Sequence, residues 1–271
     1  MKTTSIILVF IALIYAGCNN NPVLPNDTQV VLQAYLYANQ PVRDIQVMSS
    51  IAIGSSDTTN TPISNAAVSL LRNGQRFPLS ASTGSPGYYS YQGNDLTVTT
   101  GDDFRIEVVV SGQSVTAETV VPTKPEQIAL SVQTVTFQMD TVQSRIGFRT
   151  RVNSLDSAVV TWSNPNGDYF FVVVESIDPA RQLIRPDSTF TRRFVSDPTN
   201  QSSFLVNNNA ILYTGKYVVR LYHVDKEYAN LYRSRTQDSR TLNEPLTNVN
   251  NGLGIFSAFA SDSLFFNVML N

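Results

Sequence analysis

The stretch DDFRIEVVVSGQSVTAETVV, Asp102–Val121, decides the fold. Phe104, Ile106, Val108 and Val110 occupy alternate positions, with Arg105 and Glu107 between them. A period of two places an apolar row and a charged row on opposite faces of a strand, whereas a helix would scatter both. Ser111-Gly112 then turns the chain into a second strand, Gln113–Val121. A two-residue hairpin turn of this kind needs residues that accept positive φ.

Outward from this hairpin the same period dominates. Val30-Leu32-Ala34-Leu36 alternates with Val31-Gln33-Tyr35-Tyr37, and Ile45–Ile53 reads as a second strand. Ala66–Leu71 and Gln75–Leu79 flank Asn73-Gly74, a strong hairpin signal. With Gly87–Tyr91, residues 29–121 hold roughly seven short strands, the size of a β-sandwich. Pro122-Thr123-Lys124-Pro125 stiffens a linker over 122–127, because each proline locks φ and removes a donor.

A second β-rich domain is expected over 128–271. Its strands are Ile128–Val135, Arg145–Val152, Ala158–Ser163, the strongly apolar Tyr169–Ile177 (YFFVVVESI) and Leu212–Val224. Residues 178–203 read as a long excursion carrying Arg181, Arg185, Arg192 and Arg193. Asp225 caps a helix over about 225–237, with Tyr228, Leu231 and Tyr232 on one face and Arg233 and Arg235 near its end. Gly254–Ala260 and Leu264–Leu270 read as a closing hairpin through Ser261-Asp262-Ser263. The expected architecture is all-β: two tandem β-sandwich domains, the second with an added helix and a C-terminal hairpin.

The first residues carry a different message. Lys2 precedes a nine-residue apolar run, Ile6–Ile14, and Ala16-Gly17 lead into Cys18. As a helix that run covers roughly 14 Å, half of a hydrocarbon core and the length of a signal peptide's apolar segment. The arrangement resembles a lipobox, in which a diacylglycerol is attached to the cysteine thiol and the signal is cut just before it. Tyr15 stands where that pattern usually has Leu. Cys18 is the only cysteine in 271 residues, at the one place where lipidation would use it. Residues 1–17 are therefore expected to be a signal peptide and 18–28 a polar tether. The membrane would be reached through lipid on Cys18, with palmitate among the acyl chains.

Composition excludes several classes. The formal net charge is −2, with no Lys/Arg run longer than Arg192-Arg193. Nucleic-acid binding, which needs a basic patch or stripe, is disfavoured. Charged residues make up 15% of the chain, below the ~25% typical of soluble domains. Asn, Ser, Thr and Gln fill the gap, as suits an exported β-rich protein. With a single cysteine there is no internal disulfide and no thiolate metal site.

Three stretches resemble known families. Pro62–Leu70 (PISNAAVSL) followed by Gly87-Tyr88-Tyr89 is similar to carboxypeptidase-regulatory or transthyretin-like sandwiches. Val159–Pro165 (VVTWSNP) followed by Tyr169-Phe170 looks like the start of a fibronectin type III domain. The tail Asn248–Ser257 (NVNNGLGIFS) resembles the end of an uncharacterised Bacteroidota outer-membrane lipoprotein family, a domain of unknown function. Genes of that family often lie beside TonB-dependent receptors. The resemblance implies an outer-membrane location and a transporter partner. It carries over no catalytic residue.

Chemistry-bearing motifs are few. His223 is the sole histidine, inside an apolar strand, where packing is its ordinary use. Asn164, Asn166, Asp168 and Glu175 imitate calcium-loop spacing, but Tyr169 occupies the sixth position, where the loop requires Gly. A plain turn is expected there, and Asp102-Asp103 reads as a strand entry. Tyr88, Tyr89 and Tyr91 offer a stacking platform for a glycan or peptide, or simply packing; alternation keeps Tyr88 off the face of the other two. The arginines of 178–203, namely Arg181, Arg185, Arg192 and Arg193, are the partner-contact candidates. No catalytic, metal or cofactor site is expected. The leading expectation is a non-catalytic envelope lipoprotein that assists a TonB-dependent transporter. A surface adhesive module and a hydrolase with an unrecognised site stand as alternatives.

Overall fold

The computed structural model describes residues 28–51, 59–144, 147–184, 192–206, 210–234 and 247–271. Residues 1–27, with the expected signal, Cys18 and nearly all of the tether, lie outside the described residues, as does Arg185. The elements in chain order begin with β1 (Val30–Tyr37), β2 (Ile45–Ser49), β3 (Thr61–Pro62), β4 (Ala67–Arg72), β5 (Gln75–Ala81), β6 (Tyr88–Ser90), β7 (Asp103–Val110) and β8 (Gln113–Val120). Next come β9 (Ala129–Leu130), β10 (Thr134–Ser144), β11 (Gly147–Ser154), β12 (Ala158–Thr161), β13 (Tyr169–Ser176), β14 (Arg193–Val195), β15 (Ser203–Val206) and β16 (Gly215–Val224). Helix α1 (Lys226–Ser234), β17 (Val249–Asn250) and β18 (Leu253–Leu270) complete the described elements.

The expected turns form for the expected reason. Ser111 and Gly112 have φ of 50° and 85°, and Asn73 and Gly74 have 50° and 79°. Both central residues of each turn are left-handed, which matches the twist of the flanking strands. In the hairpin β7–β8, Phe104, Ile106, Val108, Val115 and Ala117 are buried while Arg105 and Glu118 stay outside. Full burial of a Leu or Ile side chain is worth about 1.5–3 kcal/mol, and Leu32, Ile45, Leu70 and Ile106 are all at 0% exposure.

Two cores result, each between two layers of strands. The first is enclosed by β18-β1-β2-β6 on one side and β4-β7-β8 on the other. Strand β5 passes between the layers: residues 75–79 pair with β4, and Ser80 and Ala81 pair with β6. The second core lies between β13-β16-β18, with β10, and the small sheet β15-β12-β9. Trp162, Phe170, Tyr217 and Phe266 fill it.

One expectation is corrected. Gly254–Leu270 is not a hairpin but part of the single 18-residue strand β18, about 60 Å long at strand rise. Ser261, Asp262 and Ser263 remain paired, with Tyr222, Leu221 and Arg220 of β16. The polar triplet marks where β18 leaves one core and enters the other. Its first half pairs in parallel with β1 (Leu253 to Phe259), its second half antiparallel with β16, and its end with β10. Phe256 and Ala258 consequently belong to the first core, joined there by Val249 of β17, and Phe266 and Val268 belong to the second.

The tail motif explains how β18 comes so close to β1. Gly254 has φ of 110°, and a Cβ there would collide with the Leu32 carbonyl oxygen. Only glycine has both the conformation and the clearance. Asn248 braces the same strand: its Oδ1 accepts the Phe256 N–H at 3.0 Å, and its amide donates to the Phe256 and Glu118 carbonyls.

Candidate functional site

The two cores meet where β18, β16, β13 and β1 lie side by side. Even-numbered positions of β18 face the cores, and odd-numbered ones face the other side of the sheet. Both sides are built differently at the junction.

On the core side, the linker crosses the sheet. His223 Nδ1 donates to the Thr123 carbonyl at 2.8 Å, which fixes the proton on that nitrogen. The ring stacks on Phe170 with centroids 4.6 Å apart and planes 19° off parallel. Nε2 faces Asp168 Oδ2 at 3.7 Å. Beside it, Lys124 Nζ pairs with Asp262 Oδ2 at 3.1 Å. The sole histidine therefore fastens the linker to the second core.

The opposite side is aromatic. Phe259 of β18 is the hub: Tyr37 stacks on it at 5.1 Å, Tyr228 meets it edge-on at 5.0 Å, and Phe171 meets it edge-on at 6.0 Å. Phe171 also stacks on Tyr222 at 4.7 Å. Tyr35 lies between Phe259 and Tyr228, at 5.8 and 6.1 Å. Strands from both halves and helix α1 supply these rings.

Helix α1 is seated by Asp225. Its Oδ1 accepts the Tyr228 N–H at 2.7 Å, the expected N-cap. Its Oδ2 accepts the hydroxyls of Ser257 at 2.8 Å and Thr119 at 3.1 Å. One carboxylate thus joins β8, β18 and α1. Burial pushes its pKa above the ordinary 3.8, against the three hydrogen bonds, which pull it down. A groove of about 600 Å3 opens beside it, between the Asn73-Gly74 turn, Val120 and Glu227.

A smaller cleft opens at the edge of the aromatic cluster. Tyr35, Tyr37, Gln40, Pro41, Arg43 and Asp44 line about 330 Å3. The loop between β1 and β2 forms its rim. Burial holds the Tyr37 hydroxyl above its usual pKa, helped by Tyr222, Tyr35 and Asp44 and opposed by Arg193.

Of the expected contact residues, those within the described residues sit in different surroundings. Arg181 donates to its neighbour's carbonyl at Asp178 (3.0 Å) and lies over the Tyr213 ring at 5.4 Å. Arg192 is exposed before β14. Arg193, opposite Glu175 in the β13–β14 register, is the one whose charge reaches the aromatic face. Arg185 lies outside the described residues. Of the other candidates, Tyr89 is buried, with its hydroxyl donating to the Ile63 carbonyl at 2.8 Å. Tyr91 packs edge-on against Phe77. Packing claims both, so no stacking platform forms there. Asn164 closes its turn by accepting the Asp168 N–H at 2.9 Å, while Glu175 pairs with Arg220 at 2.8 Å. The calcium-like spacing is a plain turn.

Residue-by-residue reading missed the aromatic cluster. Its signal was Tyr35-x-Tyr37 on β1, two large rings on the strand face opposite Leu32, Ala34 and Leu36. Nothing local linked them to Phe171, Tyr222 and Phe259.

Among solved structures, the crystal structure of chicken CNTN1 FN1-FN3 domains is 9% identical, with 90% of this chain and 68% of that chain covered and a TM-score of 0.27. The titin A168–A169 structure is 12% identical, covering 90% and 98%, with a TM-score of 0.20. No curated protein matches the chain. A family model, the domain of unknown function DUF4249, matches residues 20–264. That span takes in the first core, the linker, most of the second core and the first part of the shared strand, and the chain belongs to the DUF4249 family.

Proposed function

We propose that this protein is a non-catalytic lipoprotein of the bacterial outer membrane, anchored through Cys18, that captures ligand for a TonB-dependent transporter. The observation that carries the reading is Cys18 itself, the chain's only cysteine, placed directly after a nine-residue apolar run and Ala16-Gly17. The fold supports it in two ways. His223 and Asp225, the groups best suited to acid–base work, are engaged in holding the linker and α1. The junction instead presents a preformed cleft on a sheet that both halves share.

Two measurements test this. Cys18→Ala abolishes incorporation of labelled palmitate; retained label overturns the anchor. Cross-linking in intact membranes followed by purification recovers a TonB-dependent receptor; its absence overturns the transporter partnership.

A further inference from the structure

The cleft beside β1 has a rim that is held in place. Val42 is buried at 3% exposure, and its carbonyl accepts the Tyr91 N–H at 3.0 Å. Asn39 N–H donates to the Val98 carbonyl at 2.8 Å, and Gln40 N–H to the Tyr37 carbonyl at 3.0 Å. Asn39 and Asp44 both sit at positive φ, 61° and 57°. Asn and Asp adopt this left-handed conformation more readily than other non-glycine residues, and with the hydrogen bonds above it sets the course of the loop. Gln40, Pro41, Arg43 and Asp44 are consequently presented, exposed, at fixed positions over Tyr35 and Tyr37.

The chemistry of the cleft narrows the ligand. At about 330 Å3 it falls at the small end of ligand pockets, roughly 300–1,000 Å3. The lining carries one guanidinium and one carboxylate, Arg43 and Asp44, so its own formal charges cancel, with Arg193 acting from nearby. Along the cleft one edge of β1 is taken by β18 through Tyr37, and on the other the chain folds back so that the Gln40 N–H occupies the Tyr37 carbonyl, which leaves an extended peptide little backbone to pair with. What fits is a neutral ligand with an apolar face and a dense ring of groups that both donate and accept hydrogen bonds.

We infer that the cleft binds a neutral oligosaccharide, one sugar ring lying against the tyrosines with its hydroxyls bracketed by Asp44, Arg43 and Gln40. The ring's C–H face meets the negative π face of a tyrosine. The carboxylate accepts from one hydroxyl, and the guanidinium and amide donate to others. This stands on the cleft alone and does not depend on the lipid anchor or the transporter.

The test titrates the purified full chain with maltohexaose, cellohexaose and xylohexaose, followed by calorimetry and saturation-transfer NMR. Hexagalacturonate serves as the anionic arm and hexameric chitosan as the cationic arm. At least one neutral hexasaccharide binds saturably at about 1 mM or below, with transfer concentrated on sugar C–H protons. Tyr37→Ala weakens it about tenfold. Because Tyr37 also packs on Phe259, two exposed rim variants keep the readout independent of folding. Arg43→Ala and Asp44→Asn each weaken binding about fivefold, and Asn keeps the positive φ that Asp tolerates. Failure of every neutral sugar to bind overturns the inference, as does preference for a charged arm or binding unchanged in both rim variants.

Discussion

The two sides of one sheet close the same junction with different chemistry. On the core side, the linker is fastened by a histidine–carbonyl hydrogen bond and a half-exposed ion pair, His223 to Thr123 and Lys124 to Asp262. On the far side, rings from β1, β13, β16, β18 and α1 converge on Phe259. Directional contacts of the first kind set where the linker lies, and each adds little net energy. Aromatic burial is non-directional and large. The halves therefore owe their cohesion to the ring side and the course of the linker to the polar side.

That division is breakable. Phe259→Ala removes the hub and should destabilise the chain by about 3–5 kcal/mol. Urea unfolding followed by circular dichroism should also change from one transition to two; a single unshifted transition would show that the rings do not join the halves. Asp225→Ala comes next, at about 2–3 kcal/mol, from the lost cap and two hydroxyls left without an acceptor. The carboxyl also predicts a pH dependence. Its folded pKa lies above the ordinary 3.8, so its contribution to stability is fully present below that value and is lost as pH rises through the raised folded pKa. Asp225→Asn should flatten this segment of a melting-temperature profile between acid and neutral pH.

On the polar side the effects shrink. His223→Ala gives up the stack on Phe170 and leaves the Thr123 carbonyl without its donor, about 1–2 kcal/mol by thermal melting. Lys124→Ala breaks a pair whose lysine is 61% exposed, and should cost no more than about 0.5 kcal/mol, less in high salt. A Lys124→Ala loss comparable to that of Phe259→Ala would reverse the comparison.

Much of this was written locally. Alternation named the strands, Ser111-Gly112 and Asn73-Gly74 named their turns, and Asp225 announced its helix. Each rests on contacts within a few residues. Ser261-Asp262-Ser263 misled because polarity in an apolar run has two causes: a turn, or a strand crossing between cores beneath a polar linker. Only the pairing with β16 separates them. The aromatic cluster was illegible for a related reason. Tyr37 and Phe259 are neighbours through the β1–β18 register, and no window of sequence contains both. What the arginines touch was equally illegible: a charged loop reads the same whether or not a charge is held by its own backbone, as Arg181's is at the Asp178 carbonyl.

Strand β18 also dictates an order of events. The first core takes Val249, Phe256 and Ala258 from the far end of the chain, and β1 finds its parallel partner only in residues 253–259. Pairing across so long a loop is slow to form. Until residues 249–259 are available, the first sandwich lacks the outer strand of one wall, and that edge of β1 stays bare. A chain emerging in order would therefore hold its first half open until its second half has arrived, and would need protection over that interval.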